Sequence, residues 1–236
     1  MNRTLVISDI HGELEKFEAL LTKAGYNPEQ DQLILLGDYI DRGPDARGVL
    51  DKVMQLKEAG ALVLKGNHED MMIQALTTHD ERAWNRWVYI NGGDLTLDSY
   101  GFATGDFLEN DHTGTFRKPQ LKSESLEKHL AFILSLDHYI ETEAYIFVHA
   151  GVHPATALDK TDPHILMWIR DEFHDGYQGD KIVVFGHTTT DSLHDDPDNC
   201  DVFFGKNRII GIDGGAVYGG QLNCLELPSR IVYSVQ

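Results

Sequence analysis

The chain has 236 residues, 42% hydrophobic and 25% charged, which suits a globular protein of one generous domain or two small ones. Its net charge of −18, from 38 acidic against 20 basic residues, argues against a general binder of nucleic acid or anionic membrane, since both are held by Lys and Arg. The two cysteines, Cys200 and Cys224, read as free thiols and exclude a disulfide framework; no apolar run reaches membrane length, and no signal peptide precedes the first strand, so a cytoplasmic location is expected.

In chain order, Leu5-Val6-Ile7, Leu33-Ile34-Leu35-Leu36 and Ala61-Leu62-Val63-Leu64 read as short buried strands. Between them, residues 13–23 place Leu14, Phe17, Leu20 and Leu21 on one helical face, and residues 46–59 do the same with Val49, Leu50, Val53 and Leu56. Gly25 and Gly60 follow as stop signals. The βαβαβ pattern implies parallel strands joined by right-handed crossovers. Residues 70–140 read as a helical insertion that covers the site within a single domain spanning 1–236. It comprises a helix through Met71, Met72 and Leu76, and a second carrying Trp84, Trp87, Val88 and Ile90, closed by Asn91-Gly92-Gly93. A loop-like stretch over 100–119 and a helix over 121–136 complete it. The tryptophans are expected to pack in the core or cap rather than touch substrate. Strands follow at 144–148 and 182–185, with a helix between them that runs up to Arg170. Residues 209–235 read as several antiparallel strands.

Five of these strands lead directly into polar clusters: Asp9-Ile10-His11-Gly12, Gly37-Asp38-Tyr39-Ile40-Asp41-Arg42-Gly43, Gly66-Asn67-His68-Glu69, His149-Ala150-Gly151 and Gly186-His187-Thr188. Open α/β sheets bind ligands just outside the carboxyl ends of their strands, so the clusters are expected to meet. Asp9, His11, Asp38, Asn67, His149 and His187 offer oxygen and imidazole donors without cysteine, a set suited to Mn²⁺, Fe²⁺ or Zn²⁺. With Asp38 bridging, six groups suffice for two divalent ions, ~3.5–4 Å apart in two-metal sites. Such a pair makes hydroxide from a shared water and clamps phosphate oxygens, so a phosphoester can be attacked without a Ser or Cys nucleophile or a covalent intermediate. Arg42, a planar bidentate donor, is the first candidate to neutralise the phosphoryl group, and Arg170 the second. His68 can protonate the leaving group, with Asp41 orienting its ring. Glu69 and Asp213 read as structural. So do His79, His112, His129, His138, His153, His164, His174 and His194, none of which ends a strand.

These motifs, in this order, resemble those of the calcineurin-like metallophosphoesterases, and more closely the phosphoprotein phosphatase family with its bacterial and phage serine/threonine phosphatases. The similarity to the phage type extends to residues 67–76, to Asn91-Gly92-Gly93 and to residues 212–222, so it covers nearly the whole chain. The resemblance implies an α/β fold, a four-layer α/β/β/α sandwich of two mixed sheets flanked by helices, with metals at one edge. It implies Asp9, His11 and Asp38 on one metal, and Asp38, Asn67, His149 and His187 on the other. It also implies His68 as general acid paired with Asp41, Arg42 and Arg170 on the phosphoryl group, and Mn²⁺ as the activating ion. Ser8 stands where many relatives have glycine, at a position that is not a ligand. The implied substrate is a phosphorylated protein or a small phosphoester. The symmetrical diadenosine tetraphosphate hydrolases share most of the motifs, including an Arg-Gly-Pro like Arg42-Gly43-Pro44, but tend to lack the acid at the position of Asp41. A scaffold that had lost catalysis would show eroded ligands, and here every position is filled.

Overall fold

Two sheets carry the architecture of this computed structural model, which describes residues 3–103, 105 and 116–236. In the first, β1 (Thr4–Ile7), β2 (Gln32–Leu35) and β3 (Leu62–Val63) run parallel. In the second, β5 (Tyr145–Val148) and β6 (Ile182–Phe185) are parallel to β8 (Ile209–Gly211), while β4 (Tyr139–Glu141) and β7 (Phe203–Phe204) close its edges antiparallel. The chain then returns to the first sheet with β9 (Leu222–Leu227) and β10 (Ile231–Val235), giving the orders β10-β9-β1-β2-β3 and β4-β5-β6-β8-β7. The helices are α1 (Leu14–Lys23), α2 (Ala46–Glu58), α3 (Asn67–Thr77), α4 (Glu81–Asn85), α5 (Gly93–Ser99), α6 (Glu124–Leu134), α7 (Pro163–Trp168) and α8 (Asp171–Gly176).

Alternation along each strand sorts the layers. Val6 and Ile34 pack with Phe147, Val184 and Ile210 in a core between the two sheets. Leu5, Ile7, Leu33 and Leu35 point the other way, onto Phe17, Leu20, Val49, Leu50 and Val53 of α1 and α2. Ile146, Val148, Val183 and Phe185 pack outward on Leu166 and Phe173 of α7 and α8. Strands covered on both faces have no polar face to show, which is why they read as unbroken apolar runs. The result is helix, sheet, sheet, helix. Trp84, Trp87, Val88, Leu97 and Ile133 of the insertion belong to the same core cluster as α1 and α2.

The structure corrects the expected elements in several places. β3 is two residues long: Leu64 N–H still donates to Leu35 O of β2, but Lys65 N–H turns to Asp137 O, and Leu64 forms an isolated bridge with Asp137. The helix around the tryptophans is an α-helical turn that widens into a π-helical one over Arg86–Ile90. Between that turn and the loop expected from residue 100 lies a further helix, α5, with Gly92, left-handed at φ 82°, as its N-cap. β4 and α8 were not anticipated. The tail is only partly antiparallel, since β8 lies parallel to β6. Of the loop expected over 100–119, residues 104 and 106–115 lie outside the described residues. Among the described residues, no helix is long and apolar enough to cross a membrane, and both cysteines are free thiols.

Candidate metal centre and active site

The carboxyl ends of β1, β2, β5 and β6, with the start of α3 after β3, converge on a cleft of about 250 Å³. Asp9, Asp38, Arg42, Asn67, His68, Arg170 and His187 line it, with Asn91, Trp168, Asp213 and Tyr218. The loops after β1 and β2 run side by side, and His11 N–H donates to Asp38 O and Gly12 N–H to Tyr39 O, at 2.9 and 2.8 Å. The backbone here is forced. Among the described residues eight non-glycine side chains sit at positive φ, and six of them are Asp9, His11, Asp38, Asp41, Arg42 and His187. Left-handed backbone at such residues costs roughly 1–3 kcal/mol each and persists only where the surroundings enforce it.

Glu69 is one enforcer. Fully buried, its carboxylate accepts the backbone N–H groups of Asp38, Tyr39 and Gly66 at 2.8, 2.8 and 2.9 Å. Burial first, and then the nearby Asp38 charge, carry its pKa up to about 7 despite those three hydrogen bonds. The reading of Glu69 as a structural acceptor fits this geometry. Glycine is required twice where backbone meets a cleft carboxylate: a Cβ on Gly66 would collide with Asp38 Oδ1, and one on Gly186 with Asp9 Oδ2.

Two groups of side chains present atoms close enough to share an ion: His11, Asp38 and His68, and Asp38, His149 and His187, with all ligand atoms in each group within 4.8 Å of one another. Asp38 belongs to both. Asn67 completes the second group, since its Oδ1 lies 2.8 Å from both His149 Nε2 and His187 Nδ1. Second nitrogens are committed elsewhere: His149 Nδ1 donates to Leu36 O at 3.0 Å, and His11 Nδ1 to Ile40 O at 2.8 Å. Such bonds fix the tautomer and aim the other nitrogen of each ring into the cleft. His11 Nε2 accepts from Arg42 Nη1 at 2.8 Å, and it cannot do so and ligate an ion at once. Asp9 falls in neither group of three. It lies in the same cleft with its carboxylate on His187 N–H, at 3.0 and 3.1 Å.

The charges fit a cation-binding pocket. Burial disfavours the charged form of Asp38, but His149, His68 and His11 outweigh it and hold the carboxyl well below its ordinary range. Burial likewise works against charge on His149, yet Asp38, Asp9 and Glu69 carry it up to about 9. Burial, then His68, pushes His11 down to about 3. Asp9 is raised well above normal by burial and by Asp213. Oxygen and imidazole donors, no thiolate, and carboxylates too crowded to share a pocket without a cation together fit a hard-to-borderline divalent ion.

His68, though a member of the first group of three, has a partner that the other imidazoles lack. Its Nδ1 donates to Asp41 Oδ2 at 2.6 Å, and both residues are buried. Nε2 is thereby the nitrogen left to face the cleft, 4.0 Å from Asp38 Oδ2. Asp41 is held by two residues of the insertion, Trp87 and Thr96. Trp87 packs in the core as expected, but the sequence does not show that its indole N–H reaches Asp41, and Thr96 carries no local signal. Arg42 and Arg170 both line the cleft. Arg170 Nη1 donates to Thr188 Oγ1 at 2.9 Å; the residue stands just past the end of α7, as expected, and caps the start of α8. Asp213, read as structural, faces the same cleft, accepts Gly215 N–H at 2.9 Å and is raised to about 6 by burial. His129, read as structural, is buried against Tyr100 and Asp51.

The calcineurin-like phosphoesterase family matches residues 2–219. The chain is 30% identical over 227 residues to serine/threonine-protein phosphatase 1 of Salmonella typhimurium, covering 92% of this chain and 88% of that protein. It is 26% identical over 258 residues to the asymmetrical bis(5'-nucleosyl)-tetraphosphatase PrpE of Oceanobacillus iheyensis, covering 98% of this chain and 90% of that one. Its fold is like that of a serine/threonine phosphatase of Saccharomyces cerevisiae, with a TM-score of 0.64 at 14% identity over 99% of this chain and 79% of the other. The family match takes in every loop that builds the cleft, from Asp9 to His187, and the chain belongs to the calcineurin-like phosphoesterases, a metal-dependent family of hydrolases.

Proposed function

We propose that the chain, as a single domain, is a serine/threonine phosphoprotein phosphatase that uses two divalent ions, with Mn²⁺ preferred. The observation that carries this is the buried His68–Asp41 pair set beside the Asp–Asn–His cluster, in a chain 30% identical to a serine/threonine-protein phosphatase over 92% of its length. Asp9, His11 and Asp38 would hold one ion, and Asp38, Asn67, His149 and His187 the other. When bound, the ions would lower the pKa of a water in the cleft and neutralise charge on the phosphoryl oxygens.

The chain's own residues supply the rest. Arg42 and Arg170, both lining the cleft, bind the phosphoryl oxygens that face them, a task suited to a planar, permanently charged donor. Among the described residues lining the cleft there is neither serine nor cysteine, its hydroxyls being those of Thr189 and Tyr218, which supports attack on phosphorus by water without a covalent intermediate. As the bond from phosphorus to the leaving oxygen breaks, its electron pair stays with that oxygen. His68 delivers the Nε2 proton there, and the products are an alcohol and inorganic phosphate. Asp41 holds the imidazole ring in place for the transfer.

The tetraphosphatase relatives motivate one second reading, hydrolysis of a dinucleoside tetraphosphate. Protein stripped of metal and reloaded with Mn²⁺ should hydrolyse p-nitrophenyl phosphate. Its kcat/KM should be higher on a phosphoserine peptide than on diadenosine tetraphosphate, and the reverse ranking selects the second reading. His68→Asn should keep its metal and lose about 10²–10⁴-fold in kcat.

A further inference from the structure

We propose that Trp87 and Thr96, both carried by the helical insertion, are positioning residues for proton delivery: they lock Asp41, and through it aim His68 at the leaving oxygen. Nothing in the ligand set requires them. The geometry around Asp41 does.

Asp41 is completely buried, as is Thr96, and Trp87 is sealed in the same core. The Thr96 hydroxyl donates to Asp41 Oδ1 at 2.6 Å and accepts the backbone N–H of the same aspartate at 2.9 Å. A hydroxyl has one proton, so the polarity of this loop admits a single arrangement. It ties the carboxylate to its own backbone and stops rotation about the side chain. The Trp87 indole N–H reaches both carboxylate oxygens, at 3.0 and 3.1 Å, from the opposite element of the insertion. Oδ2 is then turned to receive His68 Nδ1–H at 2.6 Å. The ring of His68 has no other anchor of this kind. It also meets the His11 ring in a T-shaped contact, at 4.6 Å between centroids.

Resting on the role proposed above for His68, the consequence is selective. As phosphorus gains the water oxygen and releases the leaving oxygen, the Nε2 proton must travel along a line fixed by Asp41. A loosened Asp41 harms substrates whose leaving oxygen needs that proton and spares those whose leaving group departs as a stable anion. Phenyl phosphate is of the first kind, and p-nitrophenyl phosphate of the second.

The test uses Thr96→Val, which keeps volume and removes the hydroxyl, with Thr96→Ser as the conservative rescue and Trp87→Phe as an independent variant should the first fold poorly. With Mn²⁺ loaded and its content verified by elemental analysis, Thr96→Val should lose about tenfold or more in kcat on phenyl phosphate. On p-nitrophenyl phosphate the loss should be about threefold or less, and Thr96→Ser should restore the first rate. A second readout does not use turnover. In metal-free protein the proton of the short His68–Asp41 hydrogen bond should give a far-downfield NMR line, identified by its loss in His68→Asn. That line should shift or broaden in Thr96→Val and Trp87→Phe and return in Thr96→Ser. Equal losses on both substrates with an unmoved resonance would overturn the proposal and leave Thr96 a packing residue. If wild type cleaves neither phosphate, the hydrolase reading fails instead, and the NMR line still decides whether Thr96 and Trp87 hold the pair.

Discussion

The two sheets contribute unequally to the cleft. The first sheet supplies five of the groups, Asp9, His11, Asp38, Asn67 and His68, from three adjacent loops that hydrogen-bond to one another. The second supplies one group per strand end, the imidazoles of His149 and His187 on neighbouring strands and the Asp213 carboxyl after β8. The two imidazoles are oriented by the first sheet: His149 donates to Leu36 O, and His187 N–H donates to the Asp9 carboxylate. One side of the site is therefore a self-supporting frame and the other a set of pendants. Damage to the frame should cost fold and function together, whereas damage to a pendant should cost an ion and little else.

The largest effect should follow from breaking the frame at Glu69. Removing its side chain strands three buried backbone donors, at Asp38, Tyr39 and Gly66. An unmet buried donor costs about 1–3 kcal/mol, so Glu69→Ala should lose roughly 4 kcal/mol or more. That is a large part of a typical domain's total stability. Urea unfolding measures it directly. A loss under about 0.5 kcal/mol, within the range of an ordinary surface substitution, would mean that the loops support themselves without the clamp.

A smaller and different effect should come from the pendant side. His149→Ala removes one imidazole with its hydrogen bonds to Leu36 O and Asn67 Oδ1, while the loops after β1 and β2 keep their mutual bonds. The expected stability loss is about 1–2 kcal/mol. On the two-ion reading proposed above, the metal content by elemental analysis after Mn²⁺ loading should fall from two ions per chain toward one. If Glu69→Ala and His149→Ala lose stability equally, the frame and pendant distinction is wrong.

The same asymmetry explains what could be read from residue order. Each frame loop announces itself by two or more candidate site residues packed within a few positions, as in Asp38, Asp41 and Arg42, directly after a buried strand. The apolar runs were legible because strands covered on both sides leave little choice of residue. What escaped was set by distance in the chain. Thr96 is one threonine in an unremarkable helix, and only the fold brings it 55 positions back to Asp41. Trp87 packs as any core tryptophan does, and its N–H direction is a tertiary property. Asp213 ends β8 as His187 ends β6, but it carries no companion ligand, so nothing local separated a cleft residue from a turn acid. β4 was missed because a three-residue edge strand has too few positions to show a period.

The far end of the first sheet gives the smallest effect and the cleanest control. Arg3, just before β1, binds Asp31 through two nitrogens at 2.8 and 3.0 Å and Glu226 at 3.0 Å, at the opposite end of the strand from Asp9. The Arg3 hydrogen bond lowers the pKa of Asp31. Ser229 first, with Arg3 and Tyr233 adding to it, lowers that of Glu226. Carboxyls depressed in the folded state add stability above their ordinary values, 3.8 and 4.5, and lose it as pH falls through the depressed range. Arg3→Ala should therefore cost about 1 kcal/mol at pH 7, and the gap to wild type should close as pH falls below about 4. Urea midpoints at pH 7 and pH 3 measure both numbers. Metal content and turnover should not move, because the frame around Asp38 and Glu69 shares none of these contacts. If Arg3→Ala released an ion, the frame would extend the length of β1, and the line between load-free and site-forming parts of the sheet would have to be redrawn.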